Sequence, residues 1–409
     1  MSVLYGNAVV GQSGGPTAAI NATLSGVIRG CLAHKDVIGT LYGMRNGVEG
    51  LLEERLVDLF ALAGEESSLR LLEDTPAAAL GSCRHRLPSP DEKPQVFENL
   101  VRIFQKHNIR YFFYIGGNDS MDAVAKLSAY LEKADYEMRV IGVPKTIDND
   151  LAMTDHTPGF GSAAKYIATT MSEIIRDCAV DTVTAVTIVE IMGRDAGWLT
   201  ASAALAGLNG TPPDFIYLPE RAFDIDAFLS SVKAALEKHP NVVIAVSEGL
   251  RLADGSYVGA AAQSGAVDAF GHQYLAGTGK YLETLVKATL GCKVRSIELN
   301  LPQRCAAHIA SATDIDESVR TGKAAADLAV AGVSGHMMIA VREDDPYRMT
   351  VSSSPVAAIA NAVKTVPDAY INEQGNGITE AGIRYLAPLI LGERAPVYEN
   401  GMPKHFVLP

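Results

Sequence analysis

The stretch YFFYIGGNDSMDAVAKLSAYL, residues 111 to 131, passes from an aromatic run through paired glycines into a helical pattern. Tyr111 to Ile115 predicts a buried strand, Gly116 and Gly117 a sharp exit from it, and Asp119 to Leu131, with apolar residues three and four apart, a helix. The same succession recurs along the chain. Strands are predicted at Ala8 to Val10, Val37 to Tyr42, Val140 to Val143, Val183 to Ile191, Val242 to Val246, Val294 to Leu299 and His336 to Val341. Helices are predicted at Pro16 to Ala33, Ser162 to Arg176, Ala222 to Lys238, Lys280 to Ala288 and Ser318 to Ala331. Repeated strand and helix give an α/β fold class, with parallel-rich sheets covered on both faces. Pro144 to Gly161 has no apolar period and reads as a loop between two α/β halves; Val351 to Pro409, punctuated by Pro and Gly, reads as a peripheral appendage.

The composition is that of a globular chain. It has 409 residues, 48% apolar and 20% charged, with 47 acidic against 35 basic side chains and a net charge of −12. That length suits two or three domains, each with its own core. Cys31, Cys83, Cys178, Cys292 and Cys305 are scattered and odd in number, so neither a disulfide frame nor a zinc site is expected, and a reducing cytoplasm fits. The opening MSVLYGNAVVGQSGG carries no basic leader or long apolar stretch, and no membrane span is expected. Without a Lys/Arg-rich block no nucleic-acid partner is expected, and any anionic ligand must be held by local charge.

In parallel sheets ligands sit where strand ends meet helix N-termini. The first such junction, Gly11-Gln12-Ser13-Gly14-Gly15-Pro16, serves equally as a tight turn or as a place where backbone N–H groups approach a phosphate. At the second, Gly116-Gly117-Asn118-Asp119-Ser120, the polar pair either caps the helix or reaches a divalent cation. The third, Pro144-Lys145-Thr146-Ile147-Asp148-Asn149-Asp150, places two carboxylates two residues apart behind a lysine. An acidic surface turn is the commoner origin of such a pattern; the chemical one is a base with a neighbouring orienting carboxylate and a cation for a transferring phosphoryl group. A fourth, Glu190-Ile191-Met192-Gly193-Arg194, and the strand end Ser247-Glu248-Gly249 add an arginine suited to a bidentate grip and another carboxylate.

Taken in order, GQSGGPTAAIN, GGNDSMD, PKTIDND, MGRDAGW, SEGL and the pair Arg295 and Arg304 resemble the phosphofructokinase family, specifically its pyrophosphate-dependent branch, over Gly11 to about Val341. The resemblance implies two Rossmann-like three-layer lobes with the active site in the cleft between them and a C-terminal extension. It implies a donor-binding lobe over 1–157 with a returning segment at about 305–345, a fructose 6-phosphate lobe over 158–304, and an appendage over 346–409. The reaction implied is reversible phosphoryl transfer from pyrophosphate to the 1-hydroxyl of fructose 6-phosphate, with Mg2+ as cofactor, in a homodimer or homotetramer.

Carried to matching positions, Asp148 is the general base, with Lys145 and Asp119 completing the catalytic set. Gly14, Gly15, Arg84, Gly117, Asn118, Asp119, Ser120 and Lys145 match the donor site. Thr146, Ile147, Asp148, Met192, Gly193, Arg194, Glu248, Arg295 and Arg304 match the sugar-phosphate site, and Asn118 and Asp150 the metal site. Donor choice rests on two positions, since forms using ATP have Gly where this chain has Asp119 and Lys145. A carboxylate at the first would repel the α-phosphate of ATP, and an ammonium at the second would pair with pyrophosphate.

The chain departs from the family pattern at Asn118, where many members have a metal-binding Asp, at Ala185, where some have Arg, and at Leu301, where relatives offer His or Tyr. The alternatives are an ATP-dependent enzyme of the same fold, a noncatalytic sugar-phosphate-binding subunit, and a two-lobed periplasmic-type binding protein, which would require a signal peptide.

Overall fold

The computed structural model describes residues 3–180, 182–259, 277–359 and 362–408. Its two main sheets are built from strands β1 (Gly6–Gln12), β2 (Ile38–Met44), β3 (Leu56–Asp58), β4 (Ile109–Gly116), β5 (Arg139–Pro144), β6 (Ala185–Ile191), β7 (Phe215–Tyr217), β8 (Asn241–Ser247), β9 (Lys293–Glu298), β10 (His336–Glu343) and β11 (Arg348–Pro355). The larger sheet runs β11-β10-β5-β4-β1-β2-β3. Its five inner strands are parallel, and β3 and β11 close its edges antiparallel. The smaller sheet, β7-β8-β6-β9, is parallel throughout.

Successive strand side chains point to opposite faces, and each sheet uses both. Along β4, Tyr111, Phe113 and Ile115 join a core with Leu24, Ile28 and Ala326, whereas Phe112 and Tyr114 pack with Phe97, Phe104 and Val124. In the smaller sheet Val189, Ile191 and Val243 face helix Phe160–Cys178, while Val186, Ile188 and Ile244 face Phe228, Leu282 and Val286. The result is two three-layer α/β lobes. Helices Ile20–Ala33 and Ala312–Val330 pack backbone to backbone on the larger one: a Cβ on Gly26 would meet the Val319 carbonyl oxygen at 2.1 Å, and one on Gly322 the Thr23 oxygen at 2.1 Å. No helix among the described residues is long and apolar enough to cross a membrane.

Several expectations shift. The first helix begins at Ile20 rather than Pro16, because Thr17 Oγ1 accepts the Ala19 N–H at 3.2 Å and holds residues 16–19 in a turn. The last long helix starts at Ala312, six residues early, where Ser311 caps it by accepting the Asp314 N–H. Helix Pro94–Lys106, which buries Phe97, Leu100, Ile103 and Phe104, was not among the predicted elements.

The peripheral reading of residues 346–409 is corrected. Residues 348–355 form β11 of the larger sheet, and Val366, Ile371, Tyr385, Leu386 and Leu389 are buried in the core of the smaller lobe. These residues fill gaps left by other elements and follow no single period, so periodicity does not reveal them.

Candidate active site

Strands β1, β4 and β5 are adjacent and in register at their carboxyl ends, with Gln12 opposite Ile115 and Gly116 opposite Pro144. The three loops that follow therefore leave one edge together. In the smaller lobe Ile191 lies opposite Ser247 and Glu190 opposite Glu298, so the exits of β6, β8 and β9 are likewise grouped. Both groups open into one cavity of about 790 Å³. Its wall contains Gly14, Gly15, Arg84, Gly117, Asn118, Asp119, Ser120, Lys145, Thr146, Ile147, Asp148, Asp150, Met192, Arg194, Glu248 and Arg304.

Two predicted residues stand elsewhere. Gly193 is not in the wall; at φ +129 it turns the loop and donates its N–H to Glu248 Oε1 at 3.3 Å. Arg295 is exposed on β9, the edge of the smaller sheet, and is absent from the cavity of its own chain. The two arginines are thus separated, Arg304 in the wall and Arg295 outside it.

The first glycine pair works differently from the expected amide cradle. The Gly14 N–H already bonds to the Cys83 carbonyl at 3.1 Å, and the Gly15 carbonyl accepts from Lys145 Nζ at 2.7 Å. What the glycines supply is room. A Cβ on Gly14, which has φ +77, would lie 3.3 Å from Lys145 Nζ, and one on Gly15 would lie 3.2 Å from Arg304 Nη1. The two cations thus sit against bare backbone, facing the cavity.

At the second junction helix Asn118–Leu131 begins without a side-chain cap, so the capping role weighed for Asn118 and Asp119 is not taken up. Asp119 is exposed in the first turn, where the helix N-terminus favours its charge. Asn118 Oδ1 is buried and has no hydrogen-bond partner. An orphaned buried acceptor at this place fits a cation or a donor brought by a ligand. Among the described residues no three His, Cys, Asp or Glu side chains form a metal cage.

The third junction holds the titratable centre. Lys145 is 3% exposed, and burial draws its ammonium down to about 8 against the pull of Asp148. Asp148 accepts from the Thr146 hydroxyl at 3.3 Å, while its own N–H donates to Thr146 Oγ1 at 3.1 Å. Enclosure pushes the Asp148 carboxyl upward, opposed by Thr146, Lys145 and Arg194. Asp150, enclosed and beside Asp148, is pushed up to about 7. Glu248 is likewise raised by burial to about 7, with the Gly193 N–H opposing. The cavity therefore holds carboxyls poised to exchange protons near neutrality beside fixed cations, an arrangement suited to phosphoryl transfer to a hydroxyl.

On the facing loop, Ser247 Oγ donates to the Gly193 carbonyl at 2.6 Å, and the Met192 N–H donates to Gln303 Oε1 at 3.3 Å. Arg194 Nε is buried without a partner, a donor aimed at an acceptor the protein does not supply. Residue 249 must be Gly, because a Cβ there would come within 2.0 Å of the Arg194 carbonyl oxygen. Gly249→Ala is expected to cost about 1–3 kcal/mol of stability by overpacking. It should also shift Arg194 and raise the KM of the sugar phosphate more than it lowers kcat. Unfolding curves and steady-state rates check both, and an unchanged KM would refute the placement of Arg194.

Sequence reasoning missed Glu190, Glu298, Asn300 and Gln303, all in the cavity wall. Glu190 is buried and accepts the Gly279 N–H at 2.7 Å, at the start of helix Thr278–Leu290. That partner lies 89 residues away, so no local motif marks it; Gln303, next to Arg304, could have been found by adjacency.

A family model described as Phosphofructokinase matches residues 7–329. A protein of Halomonas elongata named pyrophosphate--fructose 6-phosphate 1-phosphotransferase is 45% identical over 402 residues, covering 97% of this chain and 95% of its own length. One of the same name from Methylococcus capsulatus is 42% identical, covering 98% and 96%. Among solved structures, a pyrophosphate-dependent phosphofructokinase of Nitrosospira multiformis superposes with TM-score 0.88 at 37% identity, covering 98% and 96%.

Proposed function

The chain belongs to the phosphofructokinase family, and from that premise we propose that its cavity transfers a phosphoryl group reversibly from pyrophosphate to the 1-hydroxyl of fructose 6-phosphate. The protein is a phosphotransferase. The observation that supports the reading is one cavity whose wall brings together Asp119, Lys145, Asp148, Met192, Arg194, Glu248 and Arg304.

In this reading the two phosphate groups of pyrophosphate meet Lys145, Arg84 and the turn at Gly14 and Gly15. The sugar phosphate meets Arg194 and Arg304, which hold the 1-hydroxyl in line with the donor phosphorus. Asp148 takes the hydroxyl proton as the sugar O–P bond forms and the bond from that phosphorus to the bridging oxygen of pyrophosphate breaks, releasing phosphate; in the reverse direction phosphate attacks the same phosphorus and Asp148 returns the proton to the leaving sugar oxygen. Lys145 neutralises charge on the transferring group. Positioning and charge, more than covalent chemistry, supply the rate.

Mg2+ is part of the proposal. The unpartnered Asn118 Oδ1 and the Asp150 carboxyl, whose ionisation Asp148 opposes, suit a cation held by few protein oxygens and completed by phosphate oxygens and water. When bound, it would neutralise the phosphate charge. A homodimer or homotetramer is proposed on Arg295, which stands exposed outside its own chain's cavity, where only another copy brings it to a sugar phosphate. A cytoplasmic location follows from the reaction's substrates.

The test is the initial rate of fructose 1,6-bisphosphate formation with pyrophosphate and with ATP in parallel, repeated across pH. Turnover with pyrophosphate and not with ATP is expected. As pH rises through about 8 the free enzyme loses the Lys145 charge. Thus kcat/KM for pyrophosphate should fall on that alkaline side, and the kcat limb should lie higher because bound anion favours the ammonium. Turnover with ATP alone would overturn the donor assignment, and turnover with neither would favour a noncatalytic sugar-phosphate-binding chain.

A further inference from the structure

We propose that Lys364, on the segment leading from the larger sheet into the core of the smaller lobe, is a positioning residue for the loop that carries Asp148 and Asp150. The inference rests on the reading of that loop as the phosphoryl-transfer centre.

The contacts converge from behind the loop. The Lys364 N–H donates to the Asp150 carbonyl at 2.7 Å. Its ammonium donates to Asn149 Oδ1 at 3.3 Å, to the Thr154 carbonyl at 3.1 Å and to the Asp155 carbonyl. Its own carbonyl accepts from Trp198 Nε1 at 2.9 Å, and the ammonium lies 5.2 Å from the centre of the Trp198 ring. One residue thus ties the exit of the loop, at Asp150 to Asp155, to the start of the helix following Arg194.

Asn149 shows what the tie does. It lies between the two aspartates, is fully buried, and has φ +55. Asp148 and Asp150 are in the cavity wall and Asn149 is not. A left-handed residue between them persists only where its surroundings hold it. Here both ends of its amide are held, Oδ1 by Lys364 and Nδ2 by the Tyr385 hydroxyl at 3.2 Å. Anchoring Asn149 away from the cavity turns its two neighbours toward it. The oxygens that accept from the ammonium are all neutral.

The experiment compares wild type with Lys364→Met and Lys364→Arg in the full chain, measuring kcat, both KM values, Kd for fructose 6-phosphate and melting temperature. Lys364→Met is expected to lower kcat by about ten- to a hundred-fold, the effect of a misplaced reacting group. Both KM values and the Kd should stay within about threefold, since the misplaced groups act on the transition state rather than the ground state. Lys364→Arg, which keeps a cation and donors, should recover part of the loss. Wild-type kcat in Lys364→Met would overturn the proposal, as would a parallel fall of kcat, affinity and melting temperature in both variants. If Lys364→Met does not fold, Lys364→Gln, a neutral donor of similar reach, is read by the same criteria. Absence of pyrophosphate turnover in the wild type would instead overturn the function proposed above, so the two failures are separable.

Discussion

Asp148→Asn is expected to lower kcat for pyrophosphate-dependent phosphorylation by about a hundred- to ten-thousand-fold, the range removed with a general base. Asparagine keeps the shape of the side chain and its contact with Thr146, but it cannot take the proton of the 1-hydroxyl. Binding should survive, because the groups that grip anions are Lys145, Arg194 and Arg304. KM for pyrophosphate should stay level or fall, since the variant removes a negative charge from beside Lys145. The fold should gain. The carboxyl of Asp148 is pushed above its ordinary value, so ionising it opposes folding as pH rises from the unfolded value through the folded one. At neutral pH the amide should therefore melt no lower than wild type. A kcat within tenfold of wild type, in a variant that still binds fructose 6-phosphate by calorimetry, would remove Asp148 from the base role.

The second large effect is expected at Lys145. Lys145→Met should cost about a hundred- to a thousand-fold in kcat with pyrophosphate, the scale of losing one preorganised donor to developing charge. Methionine fills the buried space without the ammonium, so the loss reports charge rather than a cavity. Asp119→Gly acts on the other half of the donor filter. The carboxylate stands exposed in the first turn of its helix and in the cavity wall, where it repels a phosphate oxygen brought within a few ångströms, a repulsion that solvent partly screens. Removing it should admit ATP, raising ATP-dependent turnover from background to a measurable rate, at a stability cost of about 0.3–1 kcal/mol for the lost helix-terminus charge. The double substitution Asp119→Gly with Lys145→Gly should favour ATP over pyrophosphate. Unchanged pyrophosphate turnover in that protein would end the donor argument.

Local patterns make most of the larger lobe legible in the sequence. The aromatic run Tyr111 to Ile115 and the helix after it appear as β4 and Asn118–Leu131, with ends displaced by only a few residues. The loops after β1, β4 and β5 were equally readable, since their Gly, Asn, Asp and Lys side chains follow short strands directly. Elements with distant partners were not. Helix Pro94–Lys106 is the exception: Phe97, Leu100, Ile103 and Phe104 recur at helical spacing behind Pro94, so the local sequence does mark it. Glu190 lies near the end of a strand, but its partner Gly279 lies far along the chain, so its place in the site is not legible locally. Arg295 stands outside its own chain's cavity, because its spacing from Arg304 says nothing about which side of an edge strand it occupies. The clamp around Asn149 joins residues more than 200 positions apart, beyond the reach of any motif.

Because β10 pairs with β5, and helix Ala312–Val330 covers helix Ile20–Ala33, the larger lobe is finished only by residues made late in synthesis. At about 5–20 residues per second, the roughly 200 residues between the end of β5 and the end of β11 occupy a ribosome for about 10–40 s. During that interval one edge of β5, a strand whose six residues are all buried in the native chain, has no neighbour, and its apolar side chains are open to water or to a holdase chaperone. Lys364 and Tyr385 emerge later still. A nascent chain stalled before them would carry both aspartates and every donor-side loop, yet its Asn149 would lack its anchors.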